Sequence, residues 1–522
     1  MTRWRLQLAG VGAVAFVAHA TVLGAGFVWL DHGDLEQGAA LAAPSGWPGL
    51  FTRGFARTGF YRPLMALSLS IDSLAGSAAV FHLTSLLSHA LAAVLVVLAA
   101  ESYGLTRRAS LTAGLLFGVH PVGSLVAGAI AYRAESLITC SLLGLLLAHR
   151  RRSPAWAAVA LLAGALTKET ALVAGPLLLL TAALVDPAMR GTRRLWAAEA
   201  GALGLALALR VAHAPAWKLA PVALAPGDAL GTRLATVTKS AGHLLLPWRS
   251  TLCDAFPVTS LSSGAAVAGG LLLLGAGVAA LWRKGPALGL AVALLPALQL
   301  VPTPRFWSPH YLYLPLAFAA MLLAEQVYRL GRAEKLGVAV VTGGLLTASL
   351  TQGLRFHDDE SLFGPEVAAE PRCREAQLYL ADVRRARGDL EGAGRGYEAA
   401  LAPVPGWLSY TDGRTAWQNL GLVRLRQGRL EEADHAVREA LRLTASPLEQ
   451  RRLGVNLASI ALARGDPSSA ERQLASESAR ADALAEALYL RAKALFQLGR
   501  AAESRALVER LTQLPSTPGS PR

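Results

Sequence analysis

What most constrains this chain is a succession of apolar runs that fills it as far as Leu350. The first runs from Leu6 to Leu30 and ends in Trp29-Leu30-Asp31-His32-Gly33-Asp34. About 20 apolar residues cross about 30 Å of hydrocarbon, so such a run predicts a helix that spans a bilayer and sets two carboxylates just beyond its face. Further runs lie at Phe81–Tyr103, Leu111–Ile130, Ser136–Ala148, Ala155–Leu166, Ala171–Val185, Leu195–Ala212, Ala265–Trp282, Ala287–Val301, Tyr311–Tyr328 and Leu336–Leu350. Together they predict about eleven crossings, several of them short. Arg3, Arg5 and Ala18-His19-Ala20 also fit a cleaved signal. The apolar run continues past that box, which favours a retained first helix.

Composition agrees with a membrane-embedded protein: 53% of residues are hydrophobic and 16% charged. The mean hydropathy is +0.39. The formal charge of +14 comes with no basic run interleaved with aromatics, so nucleic acid is not the expected partner. Instead the cations cluster at Arg3/Arg5, Arg107/Arg108, Arg150–Arg152, Arg190–Arg194, Arg283/Lys284 and Arg329–Lys335, on alternate sides of the runs. By the positive-inside rule these clusters mark the cytoplasm. Asp31–Val80, Ala131–Glu135, Thr167–Thr170, His213–Gly264 and Pro302–His310 then face outward, and Leu234–Pro247 reads as a re-entrant or interfacial helix. Leu/Ala/Gly/Arg-heavy usage suggests a bacterial chain, which places this topology in an inner membrane with the amino terminus inside. Cys140, Cys253 and Cys373 are scattered, and their spacing implies neither a zinc site nor a disulfide framework.

Beyond Leu350 the pattern changes. Gly388, Gly428, Gly465 and Gly499 recur at a spacing that settles to about 34 residues, each five positions before Ala393, Ala433, Ala470 or Ser504. The stretch AWQNLGLVRLRQGRLEEADHAVREAL puts Trp417, Leu420, Gly421, Gly428, Ala433 and Ala440 where a tetratricopeptide repeat packs two helices. The expected organisation is a membrane domain at 1–352, a linker at 353–371, a repeat domain at 372–515 and a disordered tail at 516–522. The fold class is all-α, a polytopic helix bundle followed by an α-solenoid. An odd number of crossings puts the solenoid outside, in the periplasm.

The outward connections hold Asp31, Asp34, Glu36, Arg62, Arg133, Glu135, Lys168, Glu169, Arg305 and His310, many at the ends of spans where exposure to lipid is costly. Carboxylates with cations on one face suit transfer of a sugar from a polyprenyl phosphate: the acid deprotonates an acceptor hydroxyl and the cations stabilise the departing phosphate. Plainer readings stand beside this one. Asp31 is also a boundary residue, Arg62-Pro63 an interfacial anchor, and Lys168-Glu169 a salt-bridged turn. His82 and His89 suit packing or hydrogen bonds to a neighbouring helix, and His120 before Pro121 suits a helix kink. No nucleophile elbow, P-loop or GxGxxG in context supports nucleotide-driven chemistry.

In order, FVWLDHGDLEQGAAL, LFTRGFARTGFYRPLMALSLSIDSLAG, FHLTSLLSHALAAVLVVLAA, LLFGVHPVGSLVAGAIAYRAESL, ALTKETALVAGPLLLL, LLLPWRSTLCDAFPV and SPHYLYLPLAF follow one another. Together they resemble the transmembrane and tetratricopeptide-repeat O-mannosyltransferase family (TMTC), glycosyltransferases of the GT-C superfold. The resemblance implies an inverting transferase that moves a hexose, mannose first among them, from a polyprenyl-phosphate donor to a protein or other hydroxyl. No cofactor or divalent metal is expected. The family's adjacent acids fall on Leu30 and Asp31, leaving Asp31 as the implied general base. Its Tyr-Arg-Pro string maps to Tyr61, Arg62 and Pro63, its His-Pro string to His120 and Pro121, and its basic-acidic pairs to Arg133/Glu135 and Lys168/Glu169. Its late Glu-Arg-Tyr string reads Pro309, His310, Tyr311, so histidine stands where a phosphate-binding arginine is implied and Arg305 is the nearby cation. The expected site thus has Asp31 as base, Arg133, Lys168, Arg305 and His310 on the donor phosphate, and Asp34, Tyr61, Arg62, His120, Glu135 and Glu169 in support. The rival expectation is a non-catalytic membrane anchor whose repeats recruit exported proteins; a transporter is less favoured, because the ionisable groups gather at one face.

Overall fold

The computed structural model describes residues 2–36, 38–56, 59–214, 224–247, 251–281, 285–299, 303, 305–444 and 446–513. The tail 516–522, the pair Arg283/Lys284 and parts of the outward connections lie outside the described residues. The chain forms two compact units, residues 1–366 with 406–408, and residues 367–405 with 409–522.

The first unit is helical almost throughout. Its helices are α1 (Thr2–Ala18), α2 (Pro63–Ser73), α3 (Ala78–Ser102), α4 (Arg107–Gly118), α5 (Val122–Gly128), α6 (Arg133–Arg150), α7 (Pro154–Thr167) and α8 (Thr170–Val185). There follow α9 (Arg193–His213), α10 (Pro226–Leu245), α11 (Gly264–Leu281), α12 (Gly285–Ala293), α13 (Tyr313–Arg329), α14 (Arg332–Leu354) and α15 (Asp359–Ala369). A two-residue strand pair, Phe256–Pro257 against Trp407–Leu408, is the one sheet among the described residues.

Among those residues four helices are long and apolar enough to cross a membrane, and a fifth span results if the bent pair α4–α5 counts as one. α7, α8 and the described part of α11 are apolar but shorter. Leu83, Leu87 and Leu91 form an exposed stripe on α3, opposite buried Leu86, Ala93 and Val97, and Val267, Leu271, Leu274 and Val278 do the same on α11. Stripes of this size suit hydrocarbon and not water.

Several expected elements differ; the described part of the run Ala287–Val301, for one, divides into α12 and a 3-10 turn at Leu295–Leu298. The run Leu6–Leu30 is not one helix: α1 ends at Ala18, a 3-10 turn covers Ala20–Gly24, and the chain continues extended. The break falls at His19, whose buried ring leaves the helix to reach Ser124 Oγ (3.0 Å) and the Gly118 carbonyl (3.1 Å). The run Leu111–Ile130 bends by 56° between α4 and α5, as expected at Pro121, which lacks an N–H and clashes with the preceding turn. Residues 353–371, read as a linker, contain α15, and its Asp359, Leu362, Phe363 and Glu366 are buried.

Among the described residues the second unit holds four helix pairs, α16 (Arg374–Ala386) with α17 (Leu390–Leu401), α18 (Gly413–Arg426) with α19 (Leu430–Arg442), α20 (Pro447–Ala463) with α21 (Pro467–Ala479), and α22 (Ala485–Gln497) with α23 (Ala501–Thr512). Each turn within a pair carries its recurrent glycine in the left-handed region, φ +74° to +82°, which other residues adopt at a cost. Ala393, Ala433 and Ala470 are fully buried where the paired helices meet.

Candidate active site

Asp31 lies beyond the extended segment that follows the 3-10 turn, and its side chain is fully buried. Its carboxylate accepts the backbone N–H groups of Ile130 (3.1 Å) and Ala131 (2.8 Å), in the turn between α5 and α6. Burial pushes its pKa up to about 7, against those two N–H groups, and the nearby Asp34 charge adds to the rise. Asp34 is pushed up to about 6 by burial, with the Arg62 charge opposing.

The cations lie among further acids. Arg62, just before α2, grips Glu169 in a fork, Nε to Oε2 at 3.0 Å and a terminal nitrogen to Oε1 at 2.5 Å, and lies 4.1 Å over the Phe60 ring. Burial alone would raise Glu169; the Arg62 charge and hydrogen bonds, helped by Lys168, override it and hold Glu169 down to about 2. Lys168 bonds Glu135, and His310 Nε2 lies 3.8 Å from the same Glu135 oxygen. Burial first, then the positive charges of Lys168, Arg305 and Arg62, push His310 well below the usual imidazole range, so it meets a ligand as a neutral ring. That ring stacks on Tyr132 at 4.2 Å, Tyr132 meets Trp29 edge-on at 5.2 Å, and the Arg305 guanidinium lies 5.1 Å over Trp29.

Asp31, Asp34, Arg62, Glu135, Lys168, Glu169, Arg305 and His310, drawn from four outward connections, are thus linked by contact or by charge. Of the other three, Arg133 is close enough to Asp31 to feel its charge, but all three place their hydrogen bonds elsewhere. Arg133 starts α6 but is fully buried, paired with Asp72 at 2.5 Å and donating to Ser85, Ser68 and the Phe81 carbonyl. Tyr61 donates its hydroxyl to the Phe51 carbonyl at 2.8 Å. His120 sits at the α4–α5 break, its Nδ1 accepting the Val122 N–H and its Nε2 at 3.3 Å from the Leu244 carbonyl. His82 and His89 make the expected helix-to-helix hydrogen bonds, His82 to the Ala127 carbonyl and His89 to Tyr313.

Sequence reasoning missed Asp72, Tyr132, His32 and Asp359. Asp72, inside a run of apolar and serine residues, carried a signal, since a lone acid in such a run needs a buried cation. Asp359 carried none.

The tetratricopeptide repeat family matches residues 360–406, 415–447 and 455–521. The chain is 34% identical over 203 residues to Protein O-mannosyl-transferase Tmtc2 of Drosophila melanogaster, covering 34% of this chain and 21% of that protein. It is 32% identical over 185 residues to Protein O-mannosyl-transferase Tmtc1 of the same organism, covering 32% of this chain and 21% of that protein. The match therefore spans 21% of the length of each of these curated relatives. The resemblance expected from the ordered strings is present, and the repeats occupy the expected part of the chain.

Proposed function

We propose that this chain is a membrane O-mannosyltransferase that moves a hexose, mannose first, from a polyprenyl-phosphate donor to a protein hydroxyl on the periplasmic face of a bacterial inner membrane. The observation that carries the reading is the cluster in which Asp31 lies near Asp34 and Asp34 near Arg62, with Lys168 and His310 at one shared carboxylate. Similarity to two O-mannosyltransferases supports the same chemistry. The acceptor oxygen attacks the anomeric carbon from the face opposite the phosphate. Its proton passes to Asp31 as the carbon–oxygen bond to phosphate breaks, and the sugar inverts. Polyprenyl phosphate leaves with the bonding pair, its charge met by Arg62, Lys168 and Arg305. Two of those cations are paired with Glu135 and Glu169, so an incoming phosphate binds beside these ion pairs and shares each cation with its carboxylate. The repeats hold the protein acceptor.

Asp31→Asn in proteoliposomes, supplied with polyprenyl-phosphate hexose and EDTA, tests the reading. The wild type transfers sugar with chelator present, and the variant falls about 100-fold or more in kcat. Wild-type rate in the variant overturns Asp31 as base. No transfer by either protein with several donors replaces the enzyme with the alternative that the repeats support, a membrane-anchored scaffold for exported proteins.

A further inference from the structure

The segment that carries Asp31 is held from both sides by one carboxylate. Asp359, in the first turn of α15, is buried at 6% exposure. Its Oδ1 accepts the Trp29 N–H at 2.8 Å, and its Oδ2 lies 2.8 Å from His32 Nε2. Trp29 and His32 bracket Asp31, so both bonds act on the backbone that aims its side chain. One turn further along α15, Phe363 meets the Trp29 ring edge-on at 5.4 Å. The grip has work to do. Trp29 sits at φ +60°, a left-handed conformation that strains a bulky residue and persists only where surroundings enforce it. On its other side Trp29 packs against Tyr132, next to the Ala131 whose N–H holds the Asp31 carboxylate.

His32 completes the arrangement. The bond from Asp359 is the largest influence on it; burial opposes, Glu36 at 2.6 Å assists, and its pKa rises to about 9. At neutral pH the ring is therefore an imidazolium that donates to Asp359 and Glu36, the carboxylates facing it.

We infer that Asp359 is a positioning residue for sugar transfer: by holding the Trp29 N–H and His32 it fixes the turn that presents Asp31 to the acceptor hydroxyl. This rests on Asp31 being the general base. α15 lies far along the chain from the first helix, and its contribution is geometric, since Asp359 itself touches no substrate.

The test uses full-length protein in proteoliposomes with a polyprenyl-phosphate hexose, and compares Asp359→Ala, Asp359→Asn and Asp31→Asn. Misplacing a reacting group by about 1 Å costs on the order of 100-fold, so kcat of Asp359→Ala falls 10- to 100-fold while the donor KM stays within about twofold. Asp359→Asn keeps an oxygen for the Trp29 N–H and recovers most of the rate. Hydrogen exchange over residues 25–35 speeds up in Asp359→Ala and stays near wild type in Asp359→Asn. Wild-type kcat in Asp359→Ala beside an inactive Asp31→Asn overturns the positioning role alone. So does a fall in kcat without faster exchange in that segment, or one that Asp359→Asn shares in full. Wild-type kcat in Asp31→Asn overturns the general-base reading instead, whatever Asp359→Ala does.

Discussion

At Asp31 two opposing effects set the chemistry. Burial raises the carboxyl and the two N–H donors lower it; burial wins, to about 7. A base accepts a proton only when ionised, so activity is low well below pH 7 and rises through it, far above the usual aspartate range near 4. Part of that rise comes from the Asp34 charge, so Asp34→Asn moves the acid limb of kcat/KM to lower pH; an acid limb near 4 in the wild type sinks the assignment. Sequence named Asp31 and the acids and cations that the fold links with it by contact or charge. It did not carry the direction of Arg133. That residue and Glu135 are two apart at the start of α6, so they project to different faces, and only the position of Asp72 on α2 decides which one meets the site. A buried ion pair broken at one partner loses about 3–5 kcal/mol, so Arg133→Ala should lower the stability of the bundle by about that much, read as a lower thermal midpoint in detergent.

At the scale of elements, hydropathy found the helices and side-chain hydrogen bonding decided where they stop. α3, α6, α7, α8, α9 and α13 lie close to their apolar runs, whereas the first run breaks where His19 turns toward Ser124. Periodicity cannot report that break, because the partner lies 105 positions away. The end of α5 shows how tightly such junctions are built. A Cβ on Gly128 would run into the Phe356 ring, two residues before the Ile130 N–H that binds Asp31. Phe356 is buried at 3% exposure, so it has little room to yield. Gly128→Val therefore costs about 1–3 kcal/mol by overpacking, read as a lower thermal midpoint in detergent, and lowers kcat by displacing the N–H groups on Asp31. An unchanged midpoint would show that Phe356 moves freely and that this junction does not brace the site.

Over the whole molecule the change of rhythm after Leu350 was readable because the two parts bury their apolar residues in different ways. The first unit puts leucine stripes outward as well as inward, while the second buries Leu378, Tyr397, Leu420, Val437, Leu453 and Ile460 beside the recurrent alanines between its helices. What sequence could not give was the boundary: α15 reads as polar linker, yet its acids serve the first unit, which extends to Glu366. Separate cores make the units separable in energy, and that divides the proposed labour between them. Gly421 on α18 packs where a Cβ would stand 2.7 Å from Val437 Cγ2 and 3.3 Å from the Ala433 carbonyl, so Gly421→Phe forces α18 from α19. In a stack of repeats the damage passes to the neighbouring pairs and distorts the surface they share. The first unit keeps its own packing. Full-length Gly421→Phe should therefore transfer sugar to a short Ser/Thr peptide at near wild-type kcat, while KM for a folded protein acceptor rises about tenfold or more, the loss of roughly one good contact cluster. Equal loss with both acceptors would mean that the repeats are needed for the transfer step itself, and equal retention would remove them from acceptor binding.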